Sequence, residues 1–399
     1  MTTLPALLVM IVLVPVALAV WVLFVEIAAG FLTKRNSLNP TKYSTRSSIA
    51  VVVPAHNESR GLLPTLSDVT SQLRPGDRLL VVADNCSDDT AQVAEAAGAE
   101  VVERRNLENV GKGYALDFGL RHLQDNLPQV VVVIDADCRL DTDAIDQLAT
   151  ICTSTGRPVQ ARYVMNAPDG SGIGHRVAEF AWRVKNSLRP LGLAALGLPC
   201  QLMGSGMAFP RKVICSAKLA TGHLAEDLHL GLQLASAGHP PLFCTTATVR
   251  SEFPSTPEAA AAQRQRWEQG HLHVLLTEAL PFVWTAAVTR NWRLLALCLD
   301  TAVPPLTLLG FLILVTLLMS SLVALIGAAI APLMMSLATL MLFGVSLFLA
   351  WVRCGRELLP ARSLFSTVPY LGGKLAIYAR IVASNGATKW VRTDRSKPD

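Results

Sequence analysis

No acidic or basic side chain occurs between Asp300 and Arg353. An uncharged run of that length is about twice the roughly 20 residues that one membrane-crossing helix needs. Gly327 and Pro332 near its middle predict two helices joined by a tight turn over 301–352. A second uncharged tract, Leu4 to Phe24, continues in apolar character to Phe31 and is broken only by Glu26. It runs past an Ala17-Leu18-Ala19 that imitates a signal-peptidase site, and no Lys or Arg precedes it, so 1–31 reads as a retained anchor. Lys34, Arg35, Lys42 and Arg46 in a basic linker (32–47), and Arg353, Arg356 and Arg362 after the second tract, follow the positive-inside pattern. The expectation is a multi-pass protein of the inner (plasma) membrane with three spans and the intervening segment in the cytosol.

Between the tracts lie about 230 residues of soluble-domain composition, enough for one sizeable core. The formal net charge of +5 comes largely from the membrane flanks and the tail (353–399), where Tyr370, Ile377, Tyr378 and Ile381 interleave with Lys374 and Arg380. That points to an anionic membrane surface and away from nucleic acid. Eight cysteines without a C-x-x-C support neither a zinc site nor a disulfide framework and fit a reducing compartment. The sequons at Asn57 and Asn85 would go unused there. The eight histidines show no metal-ligand spacing, and His271-x-His273 reads as structural.

The middle segment alternates strand and helix patterns. Strands are expected at Ser48–Val53, Leu79–Ala83, Glu100–Val102 and Val130–Ile134, with helices between them, which makes a parallel, doubly wound sheet. Further helices are expected to Thr153, over Ile173–Leu188, from Glu226 and from Pro257, with strands at Pro158–Val164 and Pro241–Val249. His273–Val288 is apolar but short, and reads as one helix lying in the membrane interface within 273–300. Val130–Ile134 is a β-branched run of the kind that buries both faces, and it stops at Asp135-Ala136-Asp137. Three of the first four strands end in carboxylates: Glu58, Asp84, and Asp135 with Asp137. Strand ends in such a sheet lie side by side, so these groups converge on one crevice. Hard oxygen donors there suit Mg²⁺ or Mn²⁺ and hence a diphosphate. The first strand lacks G-x-G-x-x-G, and Gly111-Lys112-Gly113 is not a P-loop. Lys112 at a helix start could meet a phosphate or simply be solvated.

In order along Val51–Trp267 stand P-A-H-N-E, V-A-D-N-C-S-D-D-T, D-A-D, A-E-D-L and Q-R-Q-R-W. Together they resemble the membrane-bound family 2 glycosyltransferases, the group of cellulose, chitin and hyaluronan synthases and ceramide glucosyltransferase. The resemblance implies a GT-A domain over 48–272: a Rossmann-like, mostly parallel doubly wound α/β sheet with flanking transmembrane helices. It also implies a nucleotide-sugar donor and a Mg²⁺ or Mn²⁺ cofactor. Asp84 would bind the uracil of the donor, with Glu58 near the base. Asp137, helped by Asp135, would hold the metal at the diphosphate. Asp227 would be the general base, with Glu226 beside it. Arg266 would steady the leaving diphosphate, and Trp267, in the same motif as Gln263, would form an acceptor platform. Gly204 and Ser205 would lie in an acceptor-side loop, though a plain turn is an equal reading. Asn85 and Ala225 depart from the family's usual Asp and Thr/Glu.

The chemistry of sugar transfer asks for these same groups. Displacement at C1 releases a nucleoside diphosphate, whose growing charge needs a cation and an arginine. The acceptor hydroxyl needs a base. One base without a partner for double displacement implies inversion. Arg264 and Arg266 lie on different helix sides, so only one readily faces the site; Gln160 and Arg162 are further pocket candidates. The acceptor is expected to be membrane-embedded or lipid-linked, in envelope or exopolysaccharide assembly. A processive polysaccharide synthase and a ceramide or diacylglycerol glycosyltransferase are the alternatives, and a sugar-nucleotide nucleotidyltransferase is the reading from another class. The sugar, and whether a homo-oligomer or polysaccharide-assembly partners are involved, are left open.

Overall fold

The computed structural model describes residues 3–34, 46–126, 128–363 and 366. Arg35 and Lys42 of the linker and the aromatic-basic positions from Tyr370 to Ile381 lie outside the described residues. Helix α1 (Thr3–Leu32) precedes the sheet. Strands β1 (Ile49–Ala55), β2 (Arg78–Asp84), β3 (Glu100–Arg104) and β4 (Val130–Val133) are joined by α2 (Leu63–Thr70), α3 (Thr90–Ala96) and α4 (Lys112–His122). All pairings among these four strands are parallel. Along β4 and just past it, Val130, Val132 and Ile134 enter the core on one side of the sheet, while Val131 and Val133 enter the core on the other. Each such fully buried side chain contributes about 2 kcal/mol through the hydrophobic effect.

The second half of the sheet is mixed. After β5 (Arg139–Leu140) and α5 (Ala144–Thr155) come β6 (Val159–Asn166), α6 (Ile173–Arg183), α7 (Arg189–Ala195), β7 (Met207–Pro210), α8 (Arg211–Ser216), α9 (Glu226–Ser236) and β8 (Leu242–Glu252). The eight strands lie in the order β3-β2-β1-β4-β7-β6-β8-β5. β7 runs antiparallel to both β4 and β6. The sequence reading placed a turn at 204–206 and missed β7 behind it, because a four-residue strand ending in Pro shows no measurable period. Gly206 (φ +70°) leads into that strand, and a Cβ on it would stand 2.8 Å from both Ala161 Cβ and Val249 Cγ2.

Two expected helices need correction. The single helix over Ile173–Leu188 is instead α6, a π-helical turn at Val184–Leu188, and α7. Pro190 has no N–H for the carbonyl four residues back, and the wider turn absorbs the missing bond. The single interfacial helix over His273–Val288 is the end of α10 (Pro257–Thr277) plus α11 (Ala279–Val288), bent by 45° at Glu278. α12 (Trp292–Thr301) then leads to α13 (Leu306–Leu325) and α14 (Ala331–Ala350).

Among the described residues, three helices are long and apolar enough to cross a membrane: Leu4–Leu32, Leu306–Leu325 and Ala331–Gly355; the bent α10–α11 pair would be a fourth only if counted as one broken span. Their outer faces carry exposed Leu7, Ile11, Leu314 and Leu318, while Ser320 and Ser336 are buried between α13 and α14, hydrogen-bonded at 2.8 Å. Apolar outside and small polar inside is the packing expected in lipid.

Glu26, the one charge inside the first apolar tract, has a structural reason. Arg189 Nε donates to Glu26 Oε2 at 2.6 Å, and Arg189 Nη2 donates to Asp300 Oδ1 at 2.5 Å, all three residues being buried. Beside this bridge α1 and α7 touch backbone to backbone: a Cβ on Gly192 would lie 1.9 Å from the Glu26 carbonyl oxygen, and one on Gly30 2.4 Å from that of Leu188. Gly192→Val therefore forces the helices apart and should cost about 2 kcal/mol or more by overpacking. Thermal melts in detergent should show a lowered midpoint for it, against an unchanged one for Gly344→Val, where no described residue outside its own helix turn lies within 4 Å of an added Cβ.

Candidate active site

β1 sits between β2 and β4, so the residues following these strands share one edge of the sheet. Asn57 (φ 55°) and Ser59 (φ 45°) turn the chain sharply after β1. Asn57 Oδ1 accepts the Ser87 N–H at 2.7 Å, and the Glu58 N–H donates to Thr90 Oγ1 at 2.9 Å. Glu58 is thus fixed over the start of α3. Asp84 ends β2 and is buried, its Oδ1 accepting from Arg104 Nη1 at 2.6 Å, while the Arg104 guanidinium lies 5.6 Å from the Tyr114 ring centre. Burial raises the Asp84 pKa against the pull of Arg104. Asn85 adopts φ 54°, which Asn tolerates well, and exchanges hydrogen bonds with Asn106, donating at 3.1 Å and accepting at 2.7 Å. An Asp in its place could not donate.

After β4 the groups crowd together. Lys112 Nζ donates to Asp135 Oδ1 and, at 2.7 Å, to the Gly204 carbonyl. The point where a Gly204 Cβ would stand is 3.4 Å from Asp227 Oδ2, 3.6 Å from Lys112 Nζ and 4.0 Å from Asp135 Oδ2. Carboxylates from β4 and α9 therefore converge on one lysine over a glycine that leaves them room. Burial works against the Lys112 charge, but Asp135, Glu226 and Asp227 outweigh it and raise its pKa. Gly113 lets α4 approach the 219–221 segment, since a Cβ there would be 2.4 Å from the Leu219 carbonyl oxygen.

Ser205 braces the loop: its Oγ accepts the Asp135 N–H at 3.0 Å. Gln160 is buried behind it, Oε1 accepting the Met203 N–H at 2.8 Å and Nε2 donating to the Ser205 carbonyl at 2.8 Å. Gln160 is thus a brace and not a pocket wall, and Arg162 donates to Ser187 Oγ at 3.1 Å. Asp137 Oδ2 accepts from Ser251 Oγ at 3.0 Å. Ligand atoms of Asp135, Asp137 and Cys138 lie within 4.8 Å of one another. Burial, then the Asp135 charge, pushes the Cys138 thiol up to about 12, so it stays protonated. The donors left are two carboxylates, a set that fits Mg²⁺ or Mn²⁺ completed by water and phosphate oxygens.

Glu226 and Asp227 open α9, with Asp227 Oδ1 accepting the Leu228 N–H at 2.8 Å. Ala225 is packed under α10, where Gly270 leaves just enough space: a Cβ there would be 3.1 Å from Ala225 Cβ. Burial raises both acids; for Glu226 the neighbouring Asp227 adds to it and Lys112 opposes, reaching about 7. From α10, Arg266 faces Glu226, whose charge offsets part of the lowering that burial imposes. Arg264 points elsewhere, into a cleft. Gln263 is buried, and its Oε1 has no hydrogen-bond partner among the described residues.

That cleft, open to solvent, lies between the domain and the root of α13 and holds about 820 Å³ of empty space counted out into the solvent. Trp182, Trp267 and Phe253 form one wall, Lys185 and Arg264 bring charge, and Val303 to Thr307 close it. The Trp267 ring centre is 4.8 Å from that of Trp182. Lys185 was missed by sequence reasoning. It sits on the π-helical turn and lines the cleft, where partial desolvation lowers its pKa and Asp227 opposes. No motif marks it. His271 is structural as expected, its Nε2 3.0 Å from the Thr301 carbonyl oxygen.

Residues 46–270 match the family described as "Glycosyltransferase like family 2". The chain belongs to that family of glycosyltransferases. Its domain, a mixed α/β sheet with the D-A-D after a central strand, is of the GT-A type. Among curated relatives, it is 23% identical over 284 residues to the protein named probable glucomannan 4-beta-mannosyltransferase 10 of Arabidopsis thaliana, covering 64% of this chain and 48% of that one. It is 26% identical over 245 residues to the protein of Bacillus subtilis (strain 168) named probable glycosyltransferase YdaM, covering 57% and 56%. It is 35% identical over 149 residues to the uncharacterized glycosyltransferase Rv0539 of Mycobacterium tuberculosis (strain ATCC 25618 / H37Rv), covering 36% and 62%. The chain thus spans less than two thirds of the length of these relatives. A solved mannosyltransferase from Pyrobaculum calidifontis, in complex with GDP-Man and Mn²⁺, is 17% identical, with 93% of this chain and 94% of that one covered and a TM-score of 0.49.

The raised acids at this site have a stability signature. A carboxyl whose pKa is higher folded than unfolded binds its proton more tightly in the native state, so stability is fully present below pH 4.5 and declines as pH rises towards 7. In chelator-treated protein the decline from Glu226 should amount to up to about 3 kcal/mol. Glu226→Gln should flatten this part of the pH–stability curve, read from melting midpoints between pH 4.5 and 8.

Proposed function

We propose that the protein is an inverting glycosyltransferase that moves a sugar from a nucleotide-sugar, a UDP-sugar in the first instance, to a membrane-embedded or lipid-linked acceptor. The observation that carries this reading is the meeting of Asp135, Lys112 and Asp227 around Gly204. It brings a donor-holding carboxylate and a candidate base from distant parts of the chain to one point. Glu58 and Asp84 flank the nucleoside end. Neighbouring strands lie about 4.8 Å apart, so from β2 to β4 is about 10 Å, in keeping with the reach from a base to its diphosphate.

Asp137 and Asp135 would hold Mg²⁺ or Mn²⁺, which, when bound, neutralises charge on the diphosphate. Lys112 and Arg266 add positive charge on the leaving-group side. Asp227, whose pKa burial raises, would take the proton from the acceptor hydroxyl, with Glu226 beside it. The second proton site nearby keeps total negative charge down when the donor arrives.

The acceptor side of the proposal rests on the cleft. It runs from Lys185, a lysine whose charge Asp227 favours, to the root of a helix that can cross a bilayer. Its aromatic wall suits a sugar or an isoprenoid-like chain, and Lys185 with Arg264 suits an anionic linkage between them. The same cleft favours addition to a lipid-linked precursor over a soluble acceptor. On this reading the catalytic domain faces the cytosol from an inner membrane.

Full-length protein in nanodiscs with Mn²⁺ should transfer from one member of a nucleotide-sugar panel, with product length read by mass spectrometry. Asp227→Asn should lower kcat by about 10²–10⁴-fold while the donor Kd stays within a factor of about three. Wild-type turnover in that variant would reject the base assignment. Trp267→Ala should raise KM for the acceptor and leave the donor Kd unchanged.

A further inference from the structure

A second polar cluster lies where α9 meets the junction of α10 and α11, and the transfer reaction makes no use of it. His223 precedes α9, His229 lies on it, and Glu278 occupies the break between α10 and α11. The two imidazoles stack with ring centres 4.5 Å apart and planes 9° from parallel. His229 Nδ1 lies 2.5 Å from Glu278 Oε2. His223 Nδ1 lies 3.4 Å from Glu278 Oε1, an oxygen that is buried and has no hydrogen-bond partner among the described residues. His273 stands behind, its ring centre 6.1 Å from that of His223, and Phe282 closes the other side at 6.5 Å from His229.

Leaving a carboxylate oxygen buried without a donor is costly, about 1–3 kcal/mol or more. The groups turned towards this one are ring nitrogens that also serve as metal ligands. Ligand atoms of His223, His229 and Glu278 all fall within 4.8 Å of one another. A tetrahedral ion with bonds of about 2.0–2.1 Å spaces its ligands about 3.3 Å apart. His223 Nδ1 already stands at that distance from Glu278 Oε1, and His229 Nδ1, which meets the other carboxylate oxygen, is closer by less than 1 Å.

We propose that His223, His229 and Glu278 form a site for a divalent transition metal of the zinc class, distinct from the hard-oxygen pair at Asp135 and Asp137. Two imidazoles and one carboxylate form a borderline-soft donor set, which favours Zn²⁺ or Co²⁺ over Mg²⁺. A water or His273 would complete the coordination. The site is structural in consequence: its histidines bracket Glu226 and Asp227 in the chain, and its carboxylate comes from the 45° bend. Occupancy would pin the start of α9 to the α10–α11 junction. The sequence carries no motif for it, because the ligands are 6 and 49 residues apart.

The test is direct metal binding to the full-length chain in detergent after chelator treatment. Co²⁺ should give a visible d–d band, and Zn²⁺ should displace it at one equivalent. Glu278→Gln and His223→Asn, which keep side-chain shape, should each weaken Zn²⁺ at least about 100-fold, whereas Asp137→Asn should leave it unchanged. Far-UV circular dichroism and the melting midpoint in chelator show whether each variant is folded. Should His223→Asn fail to fold, Glu278→Gln alone decides. Absence of the Co²⁺ band in the wild type, an undiminished Zn²⁺ equivalent in folded Glu278→Gln, or its loss in Asp137→Asn would each overturn the assignment.

Discussion

A strand buried on both faces has no place for a charge until it ends. β4 sends valines alternately into two cores, so the first acids after it must emerge together at the sheet edge. The site depends on this constraint. Asp135 cannot retreat into the sheet, and its backbone is tied to Ser205, which Gln160 holds from behind. The antiparallel β7 then delivers Gly204 to the same edge, and α9 delivers Asp227. A rigid interior thereby fixes polar groups to within a few ångströms, which is what preorganised electrostatics requires.

The second organising contact is the buried guanidinium of Arg189. It joins α1 through Glu26, the domain through α7, and the segment before α13 through Asp300. Burying such a trio gains little net stability over apolar packing, but losing one partner typically costs about 3–5 kcal/mol. Its effect is on arrangement: three segments far apart in the chain can meet in only one way.

The parallel half of the fold was legible because its strands are β-branched runs with turn residues between them. Glu26 looked like an interruption of an apolar tract, since its partners are 163 and 274 residues away. β7 and the π-helical turn were hidden by shortness and by a deviation of one residue per turn. In the site, Asp84, Asp135, Asp137 and Asp227 could be picked out because acids at strand and helix ends are visible in one dimension. Lys112 was half legible, as a lysine at a helix start. Lys185, Gln160 and the His223–His229–Glu278 cluster were not, because each takes its meaning from neighbours supplied by tertiary contact.

The crossing at Gly30 and Gly192 has a consequence for reach. With backbones in contact and a buried ion bridge beside them, α1 does not act as a leash from which a catalytic domain swings. It behaves as one leg of a stand, with α13 and α14 as the others. On the proposed membrane placement, the height of Asp227 above the bilayer is then set by the fold. An acceptor hydroxyl must be offered at that one depth, so the length of the headgroup between lipid and sugar would select substrates as a ruler does.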